Sequence, residues 1–141
     1  MIKYHKNIVI TASLLAMLVI VLGAFGAHGL KSMISPDSLA VFKTGVTYQM
    51  YHALALLVLG LNPALGLKTI QWVFKLFIFG TFFFSGSLYI LALKSVLPFS
   101  VSFLAPVTPI GGLLLISGWA LLTYSVVKKK ENIMTQAFEF L

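Results

Sequence analysis

Four long apolar stretches follow one another along the chain, each bounded by charge, proline or glycine. The first runs uncharged from Ile8 to Leu30, between Lys6 and Lys31. The second begins near Lys43 and Thr44 and continues to Leu61, where Asn62 and Pro63 open a short turn to Gly66. The third runs from about Gln71 to Leu93, with Trp72 placed as an interfacial anchor. Lys75 is close enough to its start for the ammonium to snorkel to the interface. The fourth runs from Pro109 to Val127, ahead of Lys128, Lys129 and Lys130. Thr108 reads as its N-cap, and Pro109 as a first-turn proline that loses no hydrogen bond. A helix crosses the hydrocarbon layer with about 20 residues. The pattern therefore predicts an all-α integral membrane four-helix bundle. Its single domain covers residues 1–130, with spans at about 8–30, 44–61, 71–93 and 109–127.

The connections have their own character. Ser35, Pro36 and Asp37 read as a cap, a first-turn proline and an acid at the positive end of a helix dipole, so the second span is expected to begin as an interfacial helix near Pro36. The segment Ser95 to Val107 is too oily for a water-bathed loop; it is expected either to lie on the bundle end or to be a frayed start of the fourth span. Residues 131–141 are expected to form a cytoplasmic tail. Ile133, Ala137, Phe138 and Leu141 recur there at helical intervals, suited to resting on a membrane or partner, with disorder as the alternative.

Composition closes off the soluble alternatives. The chain of 141 residues is 60% hydrophobic and 9% charged, with a mean hydropathy of +1.02, against about 25% charged in a soluble domain. The net charge of +7 comes from lysine alone. With no arginine for bidentate contacts, nucleic acid is not an expected partner. No cysteine is present, which removes thiol chemistry and thiolate metal sites. Lys3 and Lys6 before an apolar stretch imitate a signal peptide, but the stretch is long for one, so a retained helix is expected.

Lysines set the expected orientation. Lys3, Lys6, Lys68, Lys75, Lys128, Lys129 and Lys130 fall on the side of both termini, and Lys31, Lys43 and Lys94 on the other. The positive-inside rule then places both termini of a multi-pass protein in the cytoplasm.

Polar residues inside apolar spans are the best pointers to a site. With the second span starting at Thr44, they gather in the outer half of the bundle. His28, Tyr48, Gln49, His52, Ser85 and Thr108 form the candidate cluster. Its plain reading is structural, with polar groups bonding neighbouring helices. A functional reading is an outward-opening pocket for a lipid head group, quinone or small solute, or a proton relay through Tyr48, Gln49 and His52. His28 and His52 lack a third ligand, so neither a metal nor any other cofactor is expected. No nucleophile is paired with a base, so an enzyme is not expected. Gly23 with Ala27, and Gly111 with Gly118, are small-residue pairs suited to close helix packing, within one chain or between copies.

The segments GAFGAHGLK (Gly23 to Lys31), FKTGVTYQMYHALALL (Phe42 to Leu57), FSGSLYILAL (Phe84 to Leu93) and TPIGGLLLISGW (Thr108 to Trp119) resemble the bacterial YgdD and YwdK membrane proteins. That family is known as domain of unknown function 423 and is similar to the eukaryotic transmembrane protein 256 group. The resemblance covers about Ile8 to Val127. It implies that His28, Gly45, Tyr48, Gln49, His52, Ser85, Gly86, Thr108, Pro109 and Gly112 are signature positions; what the family does is not established, and some members are linked to membrane stability and envelope physiology. The expectation is a non-enzymatic protein that supports membrane organisation or binds a lipid or partner protein through the polar cluster. The alternative is an oligomeric transporter of protons or small solutes. The expected partners are the lipid bilayer, a membrane protein or a second copy of the chain.

Overall fold

A computed structural model of the chain describes residues 4–62 and 66–139, with side chains described through residue 129. Among these every regular element is helical. Helix α1 covers Lys6–Phe25 and widens without a break into one π-helical turn, Gly26–Leu30. Helix α2 covers Pro36–Leu61, α3 covers Leu67–Ala92, and α4 covers Val107–Glu139, preceded by a 3-10 turn at Ser102–Leu104.

Three segments are long and apolar enough to cross a membrane: Lys6–Leu30, Leu67–Ala92 and Ser102–Lys129. The 26-residue α2 has the length but not the oil, because Thr44, Thr47, Tyr48, Gln49, Tyr51 and His52 dilute its middle. Packing explains how it carries them. Its buried residues Ser38, Phe42, Gly45, Gln49, His52, Leu56 and Leu59 follow one another in alternating steps of four and three, the spacing of a helix seam. Gln49 and His52 therefore occupy seam positions and face protein instead of lipid.

Helices pack closely in chain order, α1 on α2, α2 on α3 and α3 on α4. The inner pair therefore carries most of the buried residues, and α1 contributes only Ile8, Ala12 and Val19. Two apolar clusters hold the stack. One joins Ile8, Ala12, Leu56, Leu59, Ile70, Val73, Phe77 and Leu115; the other joins Leu30, Ile34, Phe42 and Ala92. Between them along α2 and α3 lie the buried polar residues Gln49, His52, Thr81, Ser85 and Ser87.

The glycines show where backbones meet. A methyl group added at Gly111 would run into the main chain of Phe83 and Phe84, and one at Gly118 into the ring of Phe77. This pair is used inside the chain, between α4 and α3. Gly23 faces Val46 of α2, whereas Ala27 is exposed, so only the first of that pair lies at a helix contact.

Helix α2 starts at Pro36, where the Ser35, Pro36 and Asp37 pattern placed a helix start, eight residues before the apolar stretch that opens at Thr44; Ser35 Oγ accepts the Ser38 N–H at 3.2 Å and caps it. Thr108 is not a cap: α4 begins at Val107, and the Thr108 hydroxyl turns to α3 instead. The Ser95–Val107 connection stays at the end of the bundle with Val101 buried and Phe99 and Phe103 exposed. Helix α4 continues unbroken through Glu139, so residues 131–139 are helical. The side chains of Ile133, Ala137 and Phe138, and all of Pro63 to Leu65 and Leu141, lie outside the described part.

Candidate functional site

Gln49 is the hub of the polar layer. Its amide Nε2 donates to the Leu15 carbonyl of α1 at 3.1 Å, and its Oε1 accepts from the Tyr89 hydroxyl of α3 at 2.8 Å. One side chain thus ties three helices. A primary amide has two N–H donors and a carbonyl with two lone pairs, so one of each remains beyond these two bonds.

His52, one helical turn on, is tied to α4. Its Nδ1 lies 2.8 Å from the Tyr48 carbonyl, and the Trp119 indole N–H donates to its Nε2 at 3.1 Å. A carbonyl only accepts and an indole only donates, so the imidazole is neutral with its proton on Nδ1. The ring stands edge-on to Phe77, with centroids 5.0 Å apart. Phe77 in turn packs on Trp119 at 5.0 Å. With both nitrogens engaged, His52 has no lone pair to offer a metal, and among the described residues no three His, Cys, Asp or Glu side chains come together.

A third tie lies nearer the α3–α4 connection. Ser87 Oγ donates to the Phe84 carbonyl at 2.9 Å and lies 2.7 Å from Thr108 Oγ1. The Ser87 proton being spent on the carbonyl, Thr108 is the donor between the two hydroxyls.

The six residues singled out from the sequence therefore do not form one pocket. Gln49 and His52 belong to separate ties, and Thr108 belongs to the third. Ser85 is buried beside α2, where its main chain approaches Gly45. Tyr48 is 41% exposed, its ring leaning on Phe84. His28 is exposed on the π-helical turn. The layer is also deeper than an outer-half cluster. Because α2 starts at Pro36, Gln49 is the fourteenth of its 26 residues, close to mid-height. Trp119 was not apparent as a site residue from the sequence. Its signal was an indole donor near the middle of a span, where it needs an acceptor, instead of at the interface.

Because α1 and α3 each pack on α2 and not closely on one another, a groove of about 340 Å³ separates them. Leu15, Leu18, Leu22, Ile78 and Phe82 line it, together with Gln49, Thr81, Gly86 and Tyr89. Two features mark its wall. Thr81 is buried and its hydroxyl, like that of Ser85 one turn further along α3 but outside the groove, has no hydrogen-bond partner. Gly86 has open space where a side chain would stand, with nothing within 4 Å of an added methyl. Sequence reasoning did not select either residue for the cluster, since a lone threonine and a lone glycine in an apolar helix look like packing residues.

A larger cavity, about 610 Å³, lies at the lysine-rich end between the starts of α1 and α3, lined by His5, Lys6, Gln71 and Lys75 among others. There the Lys75 ammonium sits 5.0 Å from the Trp72 ring.

Comparison with known proteins supplies the family. Residues 22–112 match a family model described as a protein of unknown function (DUF423). A UPF0382 membrane protein of Staphylococcus saprophyticus is 43% identical over 123 residues, covering 87% of this chain and 98% of its own. The UPF0382 membrane protein YwdK of Bacillus subtilis is 38% identical over 125 residues, covering 87% and 98%. No solved structure matches.

Proposed function

The chain belongs to the DUF423 family of membrane proteins of unknown function, and from its groove and interhelix ties we propose that it is a non-enzymatic lipid-binding protein of the bacterial inner membrane. In this reading it crosses the bilayer four times with both termini in the cytoplasm, and it supports membrane organisation through a lipid held among its helices.

Four crossings follow if α2 traverses with its neighbours. At 1.5 Å per residue its 26 residues reach about 39 Å, and it packs between α1 and α3. His5 N–H donates to the Gly60 carbonyl, and Gly26 meets Phe42, so α1 and α2 run antiparallel over their whole length. The orientation rests on the lysines. Lys6, Lys68, Lys75, Lys128 and Lys129 mark one end of the bundle, and Lys31, Lys43 and Lys94 the other.

The non-enzymatic reading is supported by how the polar side chains are used. Gln49, Tyr89, His52, Trp119, Ser87 and Thr108 are bonded to one another or to main-chain carbonyls across helix contacts. Lipid binding rests on the groove between α1 and α3, where Gln49 keeps unused hydrogen-bonding capacity beside an apolar wall. The test is mass spectrometry of lipids retained after gentle extraction. A lipid species enriched over the bulk membrane, and lost from a Gly86→Leu variant, supports the reading; retention of bulk lipid composition alone overturns it. Substrate-dependent flux into liposomes would establish transport instead.

A further inference from the structure

We infer that the groove between α1 and α3 is a binding site for a neutral, carbonyl-bearing molecule dissolved in the hydrocarbon layer, of the quinone class. The inference rests on the lipid-binding reading above and names its ligand.

Four observations narrow the chemistry. First, the described lining includes no lysine, histidine or carboxylate. A charged ligand at this depth would carry a large desolvation cost without a counter-charge, so the occupant is neutral.

Second, the occupant needs a hydrogen-bonding group. The Thr81 side chain is 4% exposed and its hydroxyl is without a partner. Most threonines inside a span bond back to a carbonyl of the preceding turn. Thr11, Thr44 and Thr123 do so here, each to the residue four before it, and Thr81 does not. Gln49, with one amide N–H beyond its bond to Leu15, and Tyr89 line the same groove. A hydroxyl and an amide are donors that suit a carbonyl oxygen.

Third, the depth separates this molecule from an ordinary phospholipid. Leu18 is the thirteenth of the 25 residues of Lys6–Leu30, and Thr81 the fifteenth of the 26 of α3. Both lie close to mid-height. Phospholipid ester groups sit at the edge of the hydrocarbon core, about 15 Å from its centre if the core is about 30 Å thick. An acyl chain reaches the groove but brings no polar atom to Thr81, whereas a quinone ring can enter the core and carry its carbonyls with it.

Fourth, the space is kept open in the sequence. Glycine in a helix interior is disfavoured relative to alanine. Gly111 and Gly118 have a packing reason for their missing side chains, but Gly86 meets no neighbour and its vacant side faces open space. The groove of about 340 Å³ is at the small end of ligand pockets. It suits a substituted ring with the first part of its tail, with Phe82 and Tyr89 as flat neighbours.

The test uses the full chain in nanodiscs of phosphatidylcholine and phosphatidylglycerol, with decylubiquinone as the probe. Binding is read as saturable uptake above that of empty nanodiscs. Wild-type protein is expected to take up one equivalent. Gly86→Leu fills the open space and is expected to weaken uptake at least tenfold. Thr81→Val keeps the shape without the hydroxyl and is expected to weaken it about threefold to tenfold. Ile116→Val, on the exposed face of α4, is expected to bind as wild type. Circular dichroism and thermal melting of each variant separate loss of binding from loss of fold. Gly86→Leu binding like wild type overturns the inference, as does uptake no greater than that of empty nanodiscs. If Gly86→Leu instead releases a co-purified phospholipid while decylubiquinone fails to bind wild type, the quinone assignment falls and the lipid-binding reading stands.

Discussion

The Trp119 indole donates a hydrogen bond to Nε2 of His52, joining α4 to α2 although the close backbone packing of α4 is with α3. This one bond fixes the tautomer of a buried histidine and uses the only donor of a buried-side indole nitrogen. Trp119→Phe keeps most of the ring contact with Phe77 and removes the donor. We expect a loss of about 1 kcal/mol, within the range of interhelical hydrogen bonds in membranes. Reversible unfolding in mixed micelles measures it. In a double-mutant cycle with His52→Phe the coupling should account for most of that loss, and independent effects would show that the bond contributes nothing.

Gln49→Leu should be the most damaging single polar change. It removes bonds to two other helices and leaves the Tyr89 hydroxyl without its acceptor. The expected cost is about 1–3 kcal/mol, the penalty of stranding buried polar partners. Tyr89→Phe removes only one of the two ties and should cost less. The same unfolding measurement ranks them, and an equal or reversed order would refute Gln49 as the hub.

Gly111 and Gly86 should respond in opposite directions to alanine. At Gly111 the new methyl group meets main-chain atoms of Phe83 and Phe84, which cannot give way as a side chain can. Gly111→Ala is therefore expected to be strongly destabilising, by about 1–3 kcal/mol or more. Gly86→Ala meets nothing and gains helix propensity, so it should be neutral or stabilising by about 0.4–1 kcal/mol. Thermal melts of the two variants side by side provide the check.

The absence of cysteine from the sequence allows the topology to be tested directly. Single cysteines introduced at Asp37 and at Lys68 stand at opposite ends of the bundle, one at the start of α2 and the other at the start of α3. A membrane-impermeant maleimide added to intact cells should label the first and not the second. The reverse pattern would invert the proposed orientation.

His28→Ala should leave stability within about 0.5 kcal/mol of wild type, as an exposed substitution does, whereas His52→Ala should not. The two histidines look alike in sequence, each in a polar segment of an apolar helix. They differ in structure because His28 faces outward from the π-helical turn and His52 occupies the α2 seam.

That difference illustrates what could be read from the chain in advance. The helices themselves were legible because their signals are local: uncharged stretches bounded by lysines, and the Ser35, Pro36, Asp37 start. Gln49 and His52 were legible as important because an amide and an imidazole inside an oily segment must find partners. Which partners they find depends on contacts 34, 40 and 67 residues apart in sequence, and no local pattern encodes those. Trp119 was hidden for that reason. Thr108 was misread because a cap and an interhelix hydroxyl look the same from one helix. The groove was hidden for a further reason, since it arises from α1 and α3 being held apart by α2, a property of the stack that belongs to no single segment.

The placement of α2 between two oilier helices also bears on how the protein is made. Released alone into the bilayer, α2 would carry Gln49 and His52 into hydrocarbon without the Leu15 carbonyl, the Tyr89 hydroxyl or the Trp119 indole to meet them. Its membrane integration is therefore conditional on neighbours already present or arriving with it. In the four-crossing reading, α2 is therefore expected to become secure in the bilayer only once α1, α3 and α4 supply those three partners.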